Sequence, residues 1–314
     1  MGGTTKDVTR WRAVIGGVIV VLGASAAASA LAFPQAAPAA TVVRALADCA
    51  TVVTLGLAVV PMLDTGRYRD ELTRRAAGPL AWAAGFWLFA ELCRLVVGAA
   101  AAAGVPVMRV GLTTTAEFAY ATSAGRSGLF SAAAAGLVMI VALVAAKTPP
   151  AAVAAAGITA VGLVARTIGG HMSASTFGGI AIAIHVLAAA AWCGTLAALV
   201  LTIDHRGQWA RVLPRFSELS LLSVIALLAS GLTGALAALD SASQLFTTGY
   251  GSLLLTKIVL TVVLMTLAWH NRARWLPAAK SHRVTAYVSR SRSLTELAIM
   301  AVALTMAAAL SVTG

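Results

Sequence analysis

The chain has 314 residues, of which 60% are hydrophobic and 11% charged, and its formal net charge is +12. Soluble domains carry about 25% charged residues, so this composition excludes an ordinary soluble fold and favours an α-helical membrane protein. The basic residues lie in short runs between apolar stretches, a distribution typical of membrane topology signals, which argues against nucleic acid as a partner.

Taken in chain order, the apolar stretches predict an all-α, polytopic transmembrane bundle. A helix needs about 20 apolar residues to cross a bilayer, and about nine segments meet this requirement. We predict spanning helices at 13–33, 41–63, 79–103, 128–146, 150–170, 177–203, 217–239, 249–269 and 293–312. Because proline cannot continue a helix, five prolines are expected to mark helix boundaries: Pro34, Pro38, Pro79, Pro149 and Pro150.

The distribution of lysine and arginine predicts the orientation. Most basic residues fall in loops on the side of the amino terminus, whereas Arg109 and Arg126 fall on the opposite side. Cytoplasmic loops are enriched in basic residues, so the amino terminus is predicted to be cytoplasmic and the carboxyl terminus outside. Residues 1–33 also have features of a signal peptide, but their apolar run is long for one, which favours a retained helix.

Ionisable residues inside the predicted helices are rare, and such residues are costly in a bilayer. They are Arg44, Asp48, Glu91, Arg94, Arg166, Lys257 and Glu296. Arg44 and Asp48 are spaced i, i+4 and Glu91 and Arg94 i, i+3, so each pair is expected to neutralise itself along one helix face. The alternative is that these side chains form the polar lining of a pathway between helices.

Helix depth makes the second interpretation more specific. Asp48, Cys49, Arg94, His185 and Lys257 share a predicted layer roughly 12–14 Å below the outer face, at 1.5 Å of rise per residue. If the helices adjoin, this layer forms an outward-facing polar cavity. We assign to this polar pathway Asp48, Cys49, Glu91, Arg94, Cys193 and Lys257.

The histidines divide into two groups. His205, His270 and His282 lie in the basic loops, whereas His171, followed by Met172, lies in an outer loop and His185 lies within a predicted helix. A lone helix histidine is more often a hydrogen-bonded structural group than a ligand. Imidazole and thioether together nevertheless suit copper, and the thioether favours Cu(I). The metal hypothesis therefore predicts that His171, Met172 and His185 lie close together at the outer face.

Several motifs resemble the CopD copper-resistance family. The stretch HVLAAAAWCG at 185–194 is similar to the family signature, although Cys193-Gly194-Thr195 stands where the family usually has an apolar residue and two glycines. Further matching elements follow in order: RFS at 215–217, SGLTGA at 230–235, LFTTGYGSLLLTK at 245–257 and NRARWLP at 271–277. The resemblance is strong for 171–314, which we interpret as a CopD-like membrane domain of about four helices.

The first half resembles longer members of the same family more loosely. The similar elements are RALAD at 44–48, GVPV at 104–107, SAGR at 123–126 and GGH at 169–171. Residues 1–170 are accordingly predicted to form an N-terminal membrane region of about five helices.

The resemblance implies copper handling at the cytoplasmic membrane. This means either import of a copper ion, or its delivery to an assembling copper enzyme with an extracytoplasmic copper chaperone or oxidase assembly factor as partner. His171 and His185 match histidine positions of the family, and Lys257 and Glu296 match family positions as well. The copper ion is the one metal or cofactor that the resemblance implies, and the lipid bilayer is the surrounding partner.

Two other functions remain as alternatives. One is a non-transporting structural or assembly subunit of a copper enzyme such as cytochrome oxidase. The other is a membrane haem protein, which is disfavoured because only His185 lies well inside a predicted helix. The sequence contains no P-loop for ATP-driven transport and no recognisable catalytic motif, so we expect no enzymatic activity.

Overall fold

The structure is a computed structural model that describes residues 3–33, 37–145, 147–168, 176–238, 249–280 and 285–313. Within these ranges the chain forms helices and contains no β-strand. The helices are α1 (Gly3–Leu31), α2 (Pro38–Val59), α3 (Gly66–Ala103), α4 (Leu112–Ala121), α5 (Ser123–Val144), α6 (Pro149–Ile168), α7 (Thr176–Thr202), α8 (Arg206–Ala238), α9 (Gly249–His270), α10 (Leu276–Lys280) and α11 (Ala286–Thr313).

Nine helices in the described ranges are long and apolar enough to cross a membrane. Their outward faces carry large apolar side chains: Trp82, Phe89, Ile225 and Val262 are each more than half exposed. A soluble protein rarely exposes so much apolar surface, whereas lipid tails solvate it without cost. The structure thus confirms the predicted polytopic helical bundle.

Several helices begin earlier than predicted, among them α3, α8 and α11. The structure starts α3 at Gly66, α8 at Arg206 and α11 at Ala286. Hydropathy marks only the part of a helix that lies in hydrocarbon, and these three helices continue beyond it with polar residues. The prediction that Pro79 marks a boundary was wrong, because it lies inside α3. Proline there removes one backbone hydrogen bond without ending the helix.

Helix α2 lies at the centre of the bundle, where it packs against α3 on one side and α7 on the other. The backbones of α2 and α7 meet at Gly56 and Gly194, and a Cβ atom at either position would overlap the opposite backbone. Glycine is therefore required at this crossing, as at other close helix contacts in membranes. The crossing joins the first half of the chain to the second.

Polar contacts tie several segments together at one end of the bundle, which we call the basic end. Arg10 and Arg75 lie 3.3 and 3.6 Å from the carboxylate of Asp204. Arg211 lies 3.3 Å from Asp64. These residues come from three segments that the topology prediction places on the cytoplasmic side, so the structure brings those segments to one end. The side of the membrane that this end faces stays a prediction.

Candidate metal site and buried charges

His185 is held by α8. It is half-buried on α7, and its Nδ1 lies 3.1 Å from Oγ of Ser230. The hydroxyl proton of Ser230 is donated to the backbone carbonyl of Ala226, at 2.6 Å. Since a serine hydroxyl has a single proton, Ser230 must accept the proton of Nδ1. This fixes the tautomer of His185 and leaves Nε2 with a free lone pair, the arrangement that second-shell partners give to metal-binding histidines.

The neighbours of the His185 ring include a glycine and a lysine, Gly231 and Lys257. The ring packs over the backbone of α8 at Gly231, where an added Cβ would lie 3.5 Å from Cε1 of the ring. The side chain of Lys257, on α9, lies close enough to act electrostatically on the imidazole when its amine is protonated. No carboxylate of the described ranges lies within ion-pair distance of Lys257. A protonated Lys257 would therefore repel a cation bound at His185.

The described part of the chain does not contain a complete metal site. It holds no group of three or more histidine, cysteine, aspartate or glutamate side chains placed to bind a metal ion. His171 and Met172, the two other predicted ligands, lie outside the described residues. Of the three predicted ligands, the structure thus describes only His185, whose ring is oriented by a hydrogen bond. The proximity of the three ligands stays a prediction.

The first half of the chain contains a row of buried and half-buried charges of alternating sign, which we call the charge chain: Arg44, Asp48, Arg94, Glu91 and Arg166. Asp48 lies 3.7 Å from Arg44 and 3.6 Å from Arg94. Glu91 lies 3.4 Å from Arg94 and 3.5 Å from Arg166. Both pairs expected from the sequence spacing form, and Arg94 joins them into one row.

Neutral polar groups complete the environment of Glu91. Ser131 of α5 donates to Oε1 of Glu91 at 3.0 Å, and Nε1 of Trp87 donates to Ser131 at 3.2 Å. Arg166 of α6 donates to Oγ of Ser127 on α5, at 2.9 Å. Glu91 is only 1% exposed. The charge chain and these hydrogen bonds connect α2, α3, α5 and α6, so each buried charge in the row has an opposite charge beside it.

The other predicted pathway residues are Cys49, Cys193 and Lys257, and Cys49 directly follows Asp48 of the charge chain. Cys49 and Cys193 are free thiols on α2 and α7, and Cys193 is buried next to the Gly194 crossing. Lys257 lies near His185 instead of near the charge chain. Of the predicted polar layer, Lys257 thus lies with His185, whereas Cys49 interacts electrostatically with Asp48 of the charge chain and Cys193 with Cys49.

A further buried carboxylate lies nearer the basic end. Glu296 of α11 is 3% exposed, and its Oε2 accepts a hydrogen bond of 2.9 Å from Nδ2 of Asn271. Asn271 begins a π-helical segment, Asn271–Trp275, that continues α9 into α10. The sequence analysis did not identify Ser230 or Asn271 as site residues. Both lie in motifs that carried the family resemblance, SGLTGA and NRARWLP, which was the available signal.

Comparison with known proteins gives two family matches. Residues 35–180 match the family described as copper resistance protein D-like, N-terminal domain, and residues 210–310 match copper resistance protein D. No curated protein and no solved structure matches the chain. The first match contains the charge chain, the second contains Ser230, Lys257 and Glu296, and His185 lies between them. The chain therefore belongs to the copper resistance protein D family of multi-pass membrane proteins.

Proposed function

We propose that the chain carries copper ions inward across the cytoplasmic membrane and that Nε2 of His185 binds the ion on its way. The hydrogen bond from Nδ1 of His185 to Ser230 carries this proposal, because it leaves a donor nitrogen ready for metal. Imidazole is a ligand that suits copper, and the family is one of copper resistance. The protein acts as a carrier and has no catalytic role.

The length of chain before α7 allows the two other predicted ligands to reach His185. His171 precedes Thr176, the first residue of α7, by about five residues, which extend to at most ~17 Å. His185 lies about nine residues into α7, or ~14 Å along its axis. His171 and Met172 are thus near enough in sequence to complete a site of two imidazoles and one thioether, a ligand set that suits Cu(I).

The electrostatic environment of His185 favours transient binding of a copper ion over its tight retention. When its amine is protonated, Lys257 opposes a cation that stays bound to the imidazole. A monovalent cation moving inward gains about 2.3 kcal/mol for each 100 mV of membrane potential. We infer that copper binds weakly at His185 and is driven inward by the membrane potential.

Copper accumulation in cells tests this function. We would compare cells that express the wild type, His185→Ala or His270→Ala with cells that carry an empty vector. His270 is the matched control, because it is a histidine at the far end of α9. We expect accumulation above the vector for the wild type and for His270→Ala, and accumulation at the vector level for His185→Ala. Equal accumulation in wild type and His185→Ala would remove His185 from the mechanism.

A second candidate function is delivery of copper to an assembling copper enzyme, such as cytochrome oxidase, without flux through the chain. The described residues contain only one of the predicted copper ligands, His185, and no group of three or more metal-binding side chains. This favours delivery, since a site with few ligands releases its metal easily to a partner. In this case wild-type cells would accumulate no more copper than the vector control, while the purified protein would still bind copper through His185. That pair of results would replace transport with delivery.

A further inference from the structure

Glu296 differs from the other buried carboxylates because no cation neutralises it. In the part of the chain that the structure describes, no arginine, lysine or histidine lies within ion-pair distance of Glu296, and its hydrogen-bond donor is the neutral amide of Asn271. An ionised carboxylate buried in this way is so costly that the group is expected to neutralise itself. Copper is a poor candidate for the neutralising ion, because carboxylate and amide groups are hard ligands.

The charged groups on neighbouring helices point elsewhere. On α11 itself, Arg290 interacts electrostatically with Asp204 and Arg10 at the basic end. On α8, Arg211 pairs with Asp64. The charged residues of α2 belong to the charge chain, and Lys257 of α9 lies about 14 residues before Asn271, or ~21 Å along the helix.

On α7, the titratable group that interacts with Glu296 is the thiol of Cys193, which carries no charge to offset the carboxylate. Together these groups leave Glu296 as a carboxylate without a countercharge.

Glu296 is also linked by its hydrogen bond to a segment that is exposed at one end of the bundle. Asn271, its hydrogen-bond partner, is buried, but the next residues, Arg272–Arg274, are exposed. These exposed residues belong to the π-helical segment, and such segments inside α-helices often occur at functional sites because their wider turn allows local rearrangement. The hydrogen-bond partner of the carboxyl group is thus the immediate chain neighbour of residues exposed at the basic end.

We propose that Glu296 is a proton-binding site of the membrane domain, which holds a proton on its carboxyl group and exchanges it with the basic end past Asn271. The proton passes from the carboxyl group to water that reaches it from the basic end, and it returns to the same oxygen from that water. Asn271 orients the carboxyl group by donating to Oε2, which leaves Oε1 to carry the proton. The inference does not depend on copper transport, although it supplies a proton site to which that transport can be coupled.

Infrared spectroscopy of the full chain in lipid vesicles tests the proposal without copper. We would record the C=O stretching band of protonated carboxyl groups over the pH range in which the protein stays folded. The wild type should show a band that disappears reversibly as the pH is raised. Glu296→Gln should lack this band, whereas Glu117→Gln should keep it, because Glu117 is an exposed carboxylate on α4.

A second variant keeps the test independent of how well Glu296→Gln folds. In Asn271→Ala the carboxyl group loses its donor, so the same band should move to higher frequency. Absence of any band that depends on Glu296 would overturn the proposal. A band whose frequency is the same in Asn271→Ala and in the wild type would also overturn it. A band that depends on Glu296 but does not titrate would also overturn it, because the proton would then be structural. None of these outcomes changes the copper accumulation expected for wild type and His185→Ala.

Discussion

The two halves of the chain treat buried charge in different ways. In the first half, Glu91 lies between Arg94 and Arg166, and the whole charge chain alternates in sign. In the second half, Glu296 and Lys257 have no opposite charge within ion-pair distance among the described residues. Both halves lie in membrane-spanning helices, so the cost of burying a charge is similar in each.

The difference separates structural from functional groups. Paired charges on three helices fix how those helices pack, since removal of one partner leaves the other buried and uncompensated. An unpaired ionisable group does not stabilise helix packing in this way. Its presence in a membrane-spanning helix therefore indicates a functional role. We therefore propose that the charge chain stabilises the packing of the helices. We propose a functional role for the unpaired residues of the second half, which are His185, Lys257 and Glu296.

The largest expected effect is that of breaking the charge chain. Glu91→Ala leaves Arg94 and Arg166 buried beside each other without their carboxylate, which should lower the free energy of unfolding by about 3–5 kcal/mol. Unfolding of the detergent-solubilised protein by heat or denaturant measures this loss. Glu117→Ala, which removes an exposed carboxylate, is the control and should change stability little. Similar stability in the two variants would contradict a structural role for the charge chain.

The junction between the halves should be the next most sensitive position. Gly56→Ala places a Cβ atom against the backbone of Gly194, which should cost about 1–3 kcal/mol through overpacking. Gly136→Ala on α5 is the matched control, because a Cβ there meets nothing within 4 Å. The same unfolding measurement distinguishes them. If Gly136→Ala were as harmful as Gly56→Ala, close contact at the crossing would not explain the effect.

In the second half, the support of His185 can be removed while the ring is kept. Ser230→Ala removes the side-chain partner of Nδ1 and leaves only the backbone hydrogen bond to Leu227, so the ring is held less firmly and copper affinity should fall about 10-fold. Isothermal titration of the purified protein with Cu(I) measures the change. Thr233→Ala, on the same helix, removes a hydroxyl that bonds only the carbonyl of Ser230 and should leave the affinity unchanged. Equal affinities for Ser230→Ala and wild type would show that the hydrogen bond does not prepare the ligand.

The smallest expected effect on stability is that of Glu296→Gln. A neutral amide has the shape of a protonated carboxyl group and still accepts from Asn271, so the unfolding free energy should change little. Glu91→Gln, the same substitution in the charge chain, removes a negative charge between two guanidinium groups and should be the more harmful of the two. The reverse order of stability would break the proposed contrast between the halves.

Much of the fold could be predicted from the sequence because the bilayer imposes one strong rule. Apolar runs long enough to span it must be helical, and all nine predicted spans correspond to helices of the structure. The early starts of α3 and α8 were missed because their first turns lie outside the hydrocarbon and carry polar residues. Hydropathy contains no information on where a helix ends in water.

The candidate site was predictable only in part. The i, i+4 spacing identifies Arg44 with Asp48, but nothing in the spacing shows that Arg94 joins this pair to Glu91. Helix depth placed His185 and Lys257 at one level, yet the choice of Ser230 as the partner of His185 depends on how α7 packs against α8. Contacts between helices depend on their relative rotation, which the sequence of a single helix does not fix.

Copper affinity of the purified protein tests the central claim most directly, with wild type, His185→Ala and His270→Ala compared side by side. The account predicts that wild type and His270→Ala bind copper alike and that His185→Ala loses more affinity than Ser230→Ala. Copper binding that is unchanged in His185→Ala would contradict the claim that the unpaired groups of the second half, and not the charge chain, handle the metal.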